Sequence, residues 1–457
     1  MSEIKQKKSR YEIDMCNGSV MDKLISFSIP LMLSGILQLL FNAVDIIVVG
    51  RFTGSYALAA VGSTTALINV FTNLFIGVSL GANVLAARFY ASGREREMSE
   101  TVHTAITFAL LSGIVMVFVG LLFSRGALEL MDTPQDVIDQ STLYMRIYFA
   151  GMPFFMVYNY GAAILRAVGD TKRPLLFLIV AGVTNALLNL FLVIVMHLGV
   201  AGVAIATVIA QMISCILVLR CLYKTDSCYQ LRFSKLMLKW RYLKQIFQVG
   251  IPAGIQSTVI NFSNVLLQSS VNSFGSIAMA GYTAANNIFG FLFASVNSIT
   301  QACMSFTSQN YGVGKWKRMD KVLRNCILLS VIVSLVLGGG SYLFGPELLK
   351  IYTSDQAVIQ CGMEILLYTT VTYFMCGLMD LFPGALRGMG YSAVPMLLSI
   401  VGTVGTRVAW IFWVFPKHRA LDVLFISYPA SWLVTIILQV ICYYFVRKKV
   451  KNKLKQN

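Results

Sequence analysis

Charged residues are scarce in this sequence. Asp, Glu, Lys and Arg make up only 12% of its 457 residues, a small share for a soluble domain. A soluble chain of this length would form roughly three domains, each covered with polar surface. The sequence is instead 57% hydrophobic, with a mean hydropathy of +0.71. This composition predicts a protein embedded in a bilayer and excludes disordered and disulfide-scaffold classes.

Sequence motifs typical of catalytic, metal-binding and nucleotide-binding sites are also missing. The three histidines are dispersed, and the nine cysteines show neither CxxC nor Cys/His ligand spacing. Gly314-Lys315 is followed by Trp316, so no phosphate-binding P-loop is present. We therefore expect neither an enzyme nor an ATP-driven pump, with no cofactor and no structural metal.

Long apolar runs dominate the chain. Twelve windows of about 20 residues are long enough to cross a bilayer as helices, and they lack the period-2 alternation of barrel strands. They lie near 24–49, 57–83, 101–123, 141–165, 174–196, 199–221, 242–272, 277–309, 324–345, 360–386, 395–415 and 421–446. The sequence thus predicts an all-α membrane protein with 12 transmembrane helices.

Positive charge is unevenly distributed between the loops. Lys and Arg exceed Asp and Glu by 17, and 30 of the 37 basic residues fall in loops on one side of the predicted spans, against five on the other. The positive-inside rule then places both termini in the cytoplasm of a multi-pass protein of the plasma (inner) membrane. We expect these residues to meet anionic lipid headgroups at the cytoplasmic face. Aromatic-interleaved basic motifs are absent, so we expect no nucleic-acid partner.

The two halves of the chain repeat at an offset of 221 residues. LRAVGDTKRP at 165–174 matches LRGMGYSAVP at 386–395, and ARFYASGRERE at 87–97 matches SQNYGVGKWKR at 308–318. Because each half holds an even number of spans, both halves enter the membrane in the same sense. This predicts two six-helix bundles related by a parallel internal repeat, as in transporters with a site between repeats.

The repeat also predicts the boundaries of the domains. The predicted segments are a cytoplasmic N-terminal segment at 1–23, an N-lobe at 24–221, a cytoplasmic linker at 222–241, a C-lobe at 242–446 and a basic cytoplasmic tail at 447–457.

These features resemble the multidrug and toxic compound extrusion (MATE) family. The resemblance rests on Ile29-Pro30, Gln38, VDIIVVGRFTGSYALAAVG at 44–62 and the paired LRxxG segments, each followed by Pro. It is closer to the H⁺-coupled, DNA-damage-inducible-like branch of bacterial members than to the Na⁺-coupled branch. The resemblance implies a monomer that exports small organic, often cationic, substrates by H⁺ or Na⁺ antiport, without a cofactor.

Ionisable groups inside a membrane are costly and are candidates for function. The resemblance implies an ion-coupling site in the N-lobe, at Asp45, Asn185, Asn189 and Thr207, with Gln38 and Asn159 as further candidates. Many family members have Asp where this chain has Asn189, so this cluster has one carboxylate. It suits a proton or a Na⁺ ion, and the asparagines alternatively serve only as hydrogen bonds between helices.

The C-lobe offers a second set of candidates. Asp380 matches an acid that the family uses in coupling or substrate binding, and Gln256 stands in the span where the Na⁺-coupled branch has Glu. Arg407 lies within span 11 and needs a partner, for which Asp380 and Glu364 are nearest in sequence. A structural ion pair and a substrate role are both open for Arg407.

Two alternatives to an exporter stay open at this point. A lipid-linked oligosaccharide flippase has a related architecture but would have more basic residues in its cavity, where only Arg146 and Arg407 qualify. A membrane receptor or enzyme without transport would need a soluble domain or a catalytic cluster. We find neither in the sequence.

Overall fold

The computed structural model describes residues 11–456, and over this range it is helical with no β-strand. Part of the predicted N-terminal segment, including Lys5, Lys7, Lys8 and Arg10, lies outside the described residues. The long apolar runs give helices because a backbone in lipid must satisfy its hydrogen bonds within the segment.

The first half of the chain forms seven α-helices. They are α1 (Met21–Phe52), α2 (Ser55–Ala91), α3 (Glu95–Leu130), α4 (Ile138–Ala150), α5 (Met152–Ala167), α6 (Lys172–Leu190) and α7 (Gly199–Lys224). A π-helical turn, Phe191–Val195, extends α6. In the linker, a 3₁₀ turn spans Phe233–Lys235.

The second half follows the same plan. Its helices are α8 (Trp240–Asn272), α9 (Ser276–Gly312), α10 (Trp316–Leu343), α11 (Gly345–Lys350), α12 (Gln356–Thr370), α13 (Tyr373–Gly388), α14 (Ala393–Ser399), α15 (Thr406–Ala409) and α16 (Leu421–Gln456). Two π-helical segments, Ile400–Gly405 and Trp410–Val414, flank α15.

Most of these helices are long and apolar enough to cross a membrane. Among the described residues nine candidate spans meet this criterion, and the pair α12 and α13, bent by 45°, makes a tenth. The two other predicted spans correspond to α8 and to the pair α4 and α5. In each half, therefore, the fourth span is a pair of shorter helices.

Glycine backbone angles show the internal repeat directly. Three glycine pairs separated by 221 residues share a left-handed φ, a conformation that glycine adopts at little cost. They are Gly54 (91°) with Gly275 (97°), Gly93 (67°) with Gly314 (71°), and Gly169 (96°) with Gly390 (92°). The repeat is thus preserved in the turns between helices as well as in the helices.

The chain divides into two compact units. The first comprises the described residues up to Ile13 together with Ile36–Gly250, and the second comprises Asp14–Gly35 with Ile251–Asn457. The boundary between Gly35 and Ile36 falls inside the continuous helix α1, and the boundary between Gly250 and Ile251 falls inside the continuous helix α8. Each unit therefore includes part of a helix whose other part belongs to the other unit.

In the first unit the linker is attached to α3. The backbone N–H of Arg232 donates to Nε2 of His103 over 3.1 Å, while Nδ1 of that buried imidazole lies 2.7 Å from the Ser99 carbonyl oxygen. Nζ of Lys239 forms an ion pair with Glu100. These contacts hold the linker against the first unit.

Candidate functional site

Asp45 lies on α1 and is hydrogen-bonded to α6. The side-chain amide nitrogen of Asn189 donates to Oδ1 of Asp45. Asn189 is fully buried, whereas Asp45 is half-buried. The carboxylate thus has a neutral donor as its partner and no Lys or Arg ion pair among the described side chains.

The hydrogen bonds continue from α6 to α7. The same Asn189 nitrogen lies 3.2 Å from Oδ1 of Asn185, one helical turn away, and the Asn185 nitrogen lies 3.4 Å from the Thr207 hydroxyl. That hydroxyl donates to the Val203 carbonyl over 3.0 Å. The four residues predicted for ion coupling therefore form one connected network across three helices.

A close approach of α1 to α6 allows the Asp45 side chain to contact Asn189. A Cβ built on Gly182 would stand 1.8 Å from the ring of Phe41, so any larger residue at this crossing must displace that ring. Phe41 and Asp45 lie one turn apart on α1, while Gly182 and Asn189 lie two turns apart on α6. The crossing therefore brings the carboxylate against the asparagine.

The side-chain oxygen of Asn189 can accept a further hydrogen bond. Its Oδ1 is buried and has no hydrogen bond among the described residues. A buried amide oxygen without a partner is costly, and here it lies on the same side chain that holds the carboxylate. The oxygens of Asp45, Asn185 and Thr207 are potential proton acceptors or ligands of a small cation. Oδ1 of Asn189 can join them once the amide rotates, because its nitrogen faces Asp45.

Two tyrosines close to the carboxylate were not predicted from the sequence. Tyr144 and Tyr148 on α4 interact electrostatically with Asp45, and their rings stack with centroids 6.2 Å apart. Their four-residue spacing was a visible signal, because it places both rings on one face of a helix. They add two hydroxyl groups to the surroundings of Asp45.

Two further N-lobe candidates are not part of this hydrogen-bond network. Gln38 is exposed on α1. The Asn159 side-chain amide donates to the Phe155 carbonyl within α5, over 2.8 Å. Neither residue is bonded to Asp45, Asn185, Asn189 or Thr207 in the described part of the chain.

In the second unit, Gln256 and Asp380 are linked through an arginine. Nη2 of Arg387 donates to Oε1 of Gln256 over 2.8 Å, and the guanidinium interacts electrostatically with Asp380. Arg387 was not among the site residues predicted from the sequence; it lies in the last turn of α13 and is only 9% exposed. Its occurrence in the LRG motif, seven residues after Asp380, was the available signal.

Arg407 has different partners from those suggested by sequence distance. Its guanidinium donates to Ser263, Asn264 and Ser431 over 2.7–3.3 Å, and it stacks over the ring of Tyr428 at 4.7 Å. Among the described residues it forms no ion pair with Asp380 or Glu364. The expectation of a carboxylate partner was therefore wrong, because three oxygens from α8 and α16 and one aromatic ring satisfy the arginine.

π-helical turns occur beside both sites. One begins at Phe191, two residues after Asn189, and two flank the short helix that contains Arg407. Such turns are rare in proteins overall, but those that occur are often found at functional sites. There they alter which side chains face a neighbouring helix.

Known proteins match this chain over nearly its full length. The MatE family model matches twice, at residues 30–191 and 252–413. The probable multidrug resistance protein YoeA of Bacillus subtilis is 32% identical, over 98% of this chain and 96% of the relative. The probable multidrug resistance protein NorM of Thermotoga maritima is 26% identical, over 88% of this chain and 87% of the relative.

The fold also matches solved structures. A multidrug resistance MATE family transporter of the MOP superfamily, solved in an outward-facing conformation, has a TM-score of 0.89 at 19% identity, covering 99% of this chain and 100% of that one. The predicted all-α, two-lobe membrane fold is thereby confirmed. MATE proteins are ion-coupled transporters of small organic substrates and are neither enzymes nor cofactor-dependent. From the two matches of the family model and the 32% identity to YoeA, the chain belongs to the MatE family.

Proposed function

We propose that this protein exports small organic, mainly cationic, compounds by exchanging them for protons at Asp45. The observation that carries the proposal is the hydrogen bond from Asn189 to Asp45, which joins the carboxylate to Asn185 and Thr207. The names of the relatives support drug export and give no support to the flippase alternative.

The proton is favoured over Na⁺ by the way Asn189 is oriented. Its amide presents a nitrogen, which is a donor, to the carboxylate, whereas a Na⁺ site requires several oxygens turned toward one point. The unpartnered Oδ1 can accept a hydrogen bond from a protonated Asp45 once the amide rotates by half a turn. Asn189 can thus serve as partner to both protonation states of Asp45.

Coupling between proton binding and the conformational change follows, because Asn189 bonds to Asp45 in both protonation states. Ionised Asp45 accepts from Asn189, and protonated Asp45 donates to it, so the direction of the hydrogen bond reverses on protonation. A proton shifts an alternating-access equilibrium only if it binds more tightly in one conformation than in the other. A change in the α1–α6 distance alters the Asp45–Asn189 bond and so supplies that difference.

The C-lobe residues have separate proposed roles. Asp380 is half-buried beside Arg387 and is the proposed contact for a cationic group of the substrate. Arg407 is only 3% exposed and fully engaged by its hydroxyl and amide partners, and we assign it a structural role.

The proposed setting is the plasma (inner) membrane, with both termini in the cytoplasm and the protein acting as a monomer. The support is the concentration of Lys and Arg in loops on one side of the spans. These charges face anionic lipid headgroups in this proposal, and no nucleic acid is involved.

The test is transport of a fluorescent organic cation in proteoliposomes under an imposed ΔpH or an imposed Na⁺ gradient. The unaltered protein should respond to ΔpH alone, and Asp45→Asn should abolish that response while still binding the cation. Asp136→Asn, which removes an exposed loop carboxylate, is the charge-matched control and should transport normally. Undiminished ΔpH-driven transport by Asp45→Asn would refute the role of Asp45, and a response to Na⁺ alone would refute the proton.

A further inference from the structure

A cavity of about 630 Å³ lies in the first unit, where α6 begins and α7 ends. The walls of the cavity change from apolar to cationic along the direction of the helices. Phe177 and Leu217 form the side toward the spans. Arg173 and Arg220 lie about one turn nearer the helix ends, and Lys224 lies about two turns nearer. This apolar-to-cationic order matches the order of acyl chain and phosphate in a phospholipid.

Two of the three cations of this cavity are available to an anion. Arg220 and Lys224 are exposed, one helical turn apart on α7, and neither forms an ion pair with any residue that the structure describes. Arg173 is paired with Asp170 through its Nε. Its Nη2, however, is buried with no hydrogen-bond partner in the described chain.

Two carboxylates also line the cavity. Glu12 accepts hydrogen bonds from the hydroxyls of Tyr90 and Tyr229, at 2.8 Å and 2.7 Å. Asp226 is exposed at the start of the linker. With Asp170 behind Arg173, cations and carboxylates are equal in number, so the cavity does not select for net negative charge. It suits a ligand that carries both signs.

The internal repeat shows that these cations do not follow from topology alone. At the 221-residue offset, Arg173, Arg220 and Lys224 correspond to Val394, Ile441 and Phe445 in the second half. Both halves have the same helix order, yet the second half has apolar residues at all three positions. Basic residues at these three positions are therefore not part of the internal repeat.

We propose that this cavity binds one phosphatidylethanolamine molecule at the membrane surface on the linker side. Arg220 and Lys224 would hold the phosphate by charge-assisted hydrogen bonds, and the Arg173 guanidinium in the cavity wall would add positive charge. Asp226, with Glu12 behind it, would accept from the primary ammonium. The acyl chains lie along Phe177 and Leu217. This lipid site is distinct from the Asp45 network and does not depend on the transported compound or the coupling ion.

The test is thermal unfolding of the delipidated, full-length protein in detergent with added phosphatidylethanolamine, phosphatidylcholine or phosphatidylglycerol. A lipid that binds only the folded state raises the midpoint with concentration, and phosphatidylethanolamine should raise it most. The double variant Arg220→Gln/Lys224→Gln should weaken that binding by about 10- to 100-fold, since each of the two lost hydrogen bonds to a charged group is worth up to roughly a factor of ten at an exposed site. Asp226→Asn should keep lipid binding but lose the preference for phosphatidylethanolamine over phosphatidylcholine.

The matched control is Lys448→Gln/Lys449→Gln, which removes two exposed charges at the end of α16, the counterpart of α7. It should respond to phosphatidylethanolamine like the unaltered protein. Equal stabilisation by all three lipids, or an unchanged response of the Arg220/Lys224 variant, would overturn the proposal. The last measurement adds soluble phosphoethanolamine in place of the lipid. If it raises the unfolding midpoint as much as phosphatidylethanolamine does, the cavity is a site for a soluble phosphate ester, which would overturn the proposal.

Discussion

The amide nitrogen of Asn189 is hydrogen-bonded both to the Asp45 carboxylate, 144 residues away in the chain, and to Asn185 on its own helix. Asn189 is thus the branch point of the network, and Thr207 is its far end. Among the described residues, this chain of hydrogen bonds joins Asp45 to α7 through the two asparagines. The effect of a substitution should therefore decrease with distance along the network.

We predict that Asn189→Leu lowers ΔpH-driven transport by about 10- to 100-fold, since a hydrogen bond to a charged group contributes about 1.5–3 kcal/mol. Thr207→Val removes only the terminal hydroxyl and should cost about tenfold or less. Initial rates in proteoliposomes, corrected for the amount of folded protein, measure both. Equal effects of the two substitutions would contradict the order of the network.

Gly182→Ala should displace α1 from α6, because the added methyl would meet the Phe41 ring at 1.8 Å. Overpacking of this kind costs about 1–3 kcal/mol, and here it also lengthens the Asp45–Asn189 contact. Loss of transport and a lower unfolding midpoint are the expected results. Gly62→Ala, in α2 with open space around the added methyl, is the control and should be neutral or stabilising.

A second-site substitution separates the crossing from a general loss of stability. If the clash with Phe41 is the cause, Phe41→Leu should restore part of the transport lost in Gly182→Ala. Without any rescue, the glycine would have to act in some way other than admitting the Phe41 ring.

Asp380 should couple energetically to Arg387 and not to Arg407. In double-mutant cycles of the unfolding free energy, Asp380→Asn with Arg387→Gln should give an interaction of about 0.5–3 kcal/mol. The cycle of Asp380→Asn with Arg407→Gln should be additive within about 0.5 kcal/mol, since Arg407 bonds to Ser263, Asn264 and Ser431. A larger coupling to Arg407 than to Arg387 would contradict the observed partners.

Gly169→Ala should destabilise the protein by more than its left-handed φ of 96° alone would cost. Left-handed backbone costs a residue with a Cβ about 1–2 kcal/mol. At Gly169 that Cβ would also stand 2.5 Å from the backbone oxygen of Ile13. Gly93→Ala is the matched comparison, with a φ of 67° and nothing near the added methyl. Chemical unfolding should rank Gly169→Ala as the more destabilised, and the opposite order would refute the Ile13 contact.

Hydrophobic periodicity and charge placement were enough to predict the helices, because length and apolarity decide what spans a bilayer. The family resemblance placed Asn185 and Asn189 in one predicted site, and their four-residue spacing puts them on one face of α6. The contacts of Arg407 were not predictable. Its partners come from α8 and α16, and proximity in the sequence favoured carboxylates that point elsewhere. Tyr144 and Tyr148 were missed because tyrosines are numerous and only the packing of α4 distinguishes these two.

The division of α1 and α8 between the two compact units means that the halves of the gene are not independent folding fragments. A fragment ending in the linker would contain Phe27 without Phe306, on whose ring it packs at 5.6 Å. The complementary fragment would lack Val78, against which the backbone of Gly250 lies. Neither half has a complete core by itself. Split at the linker, the chain should accumulate only when both fragments are produced in the same cell, as mutually dependent partners.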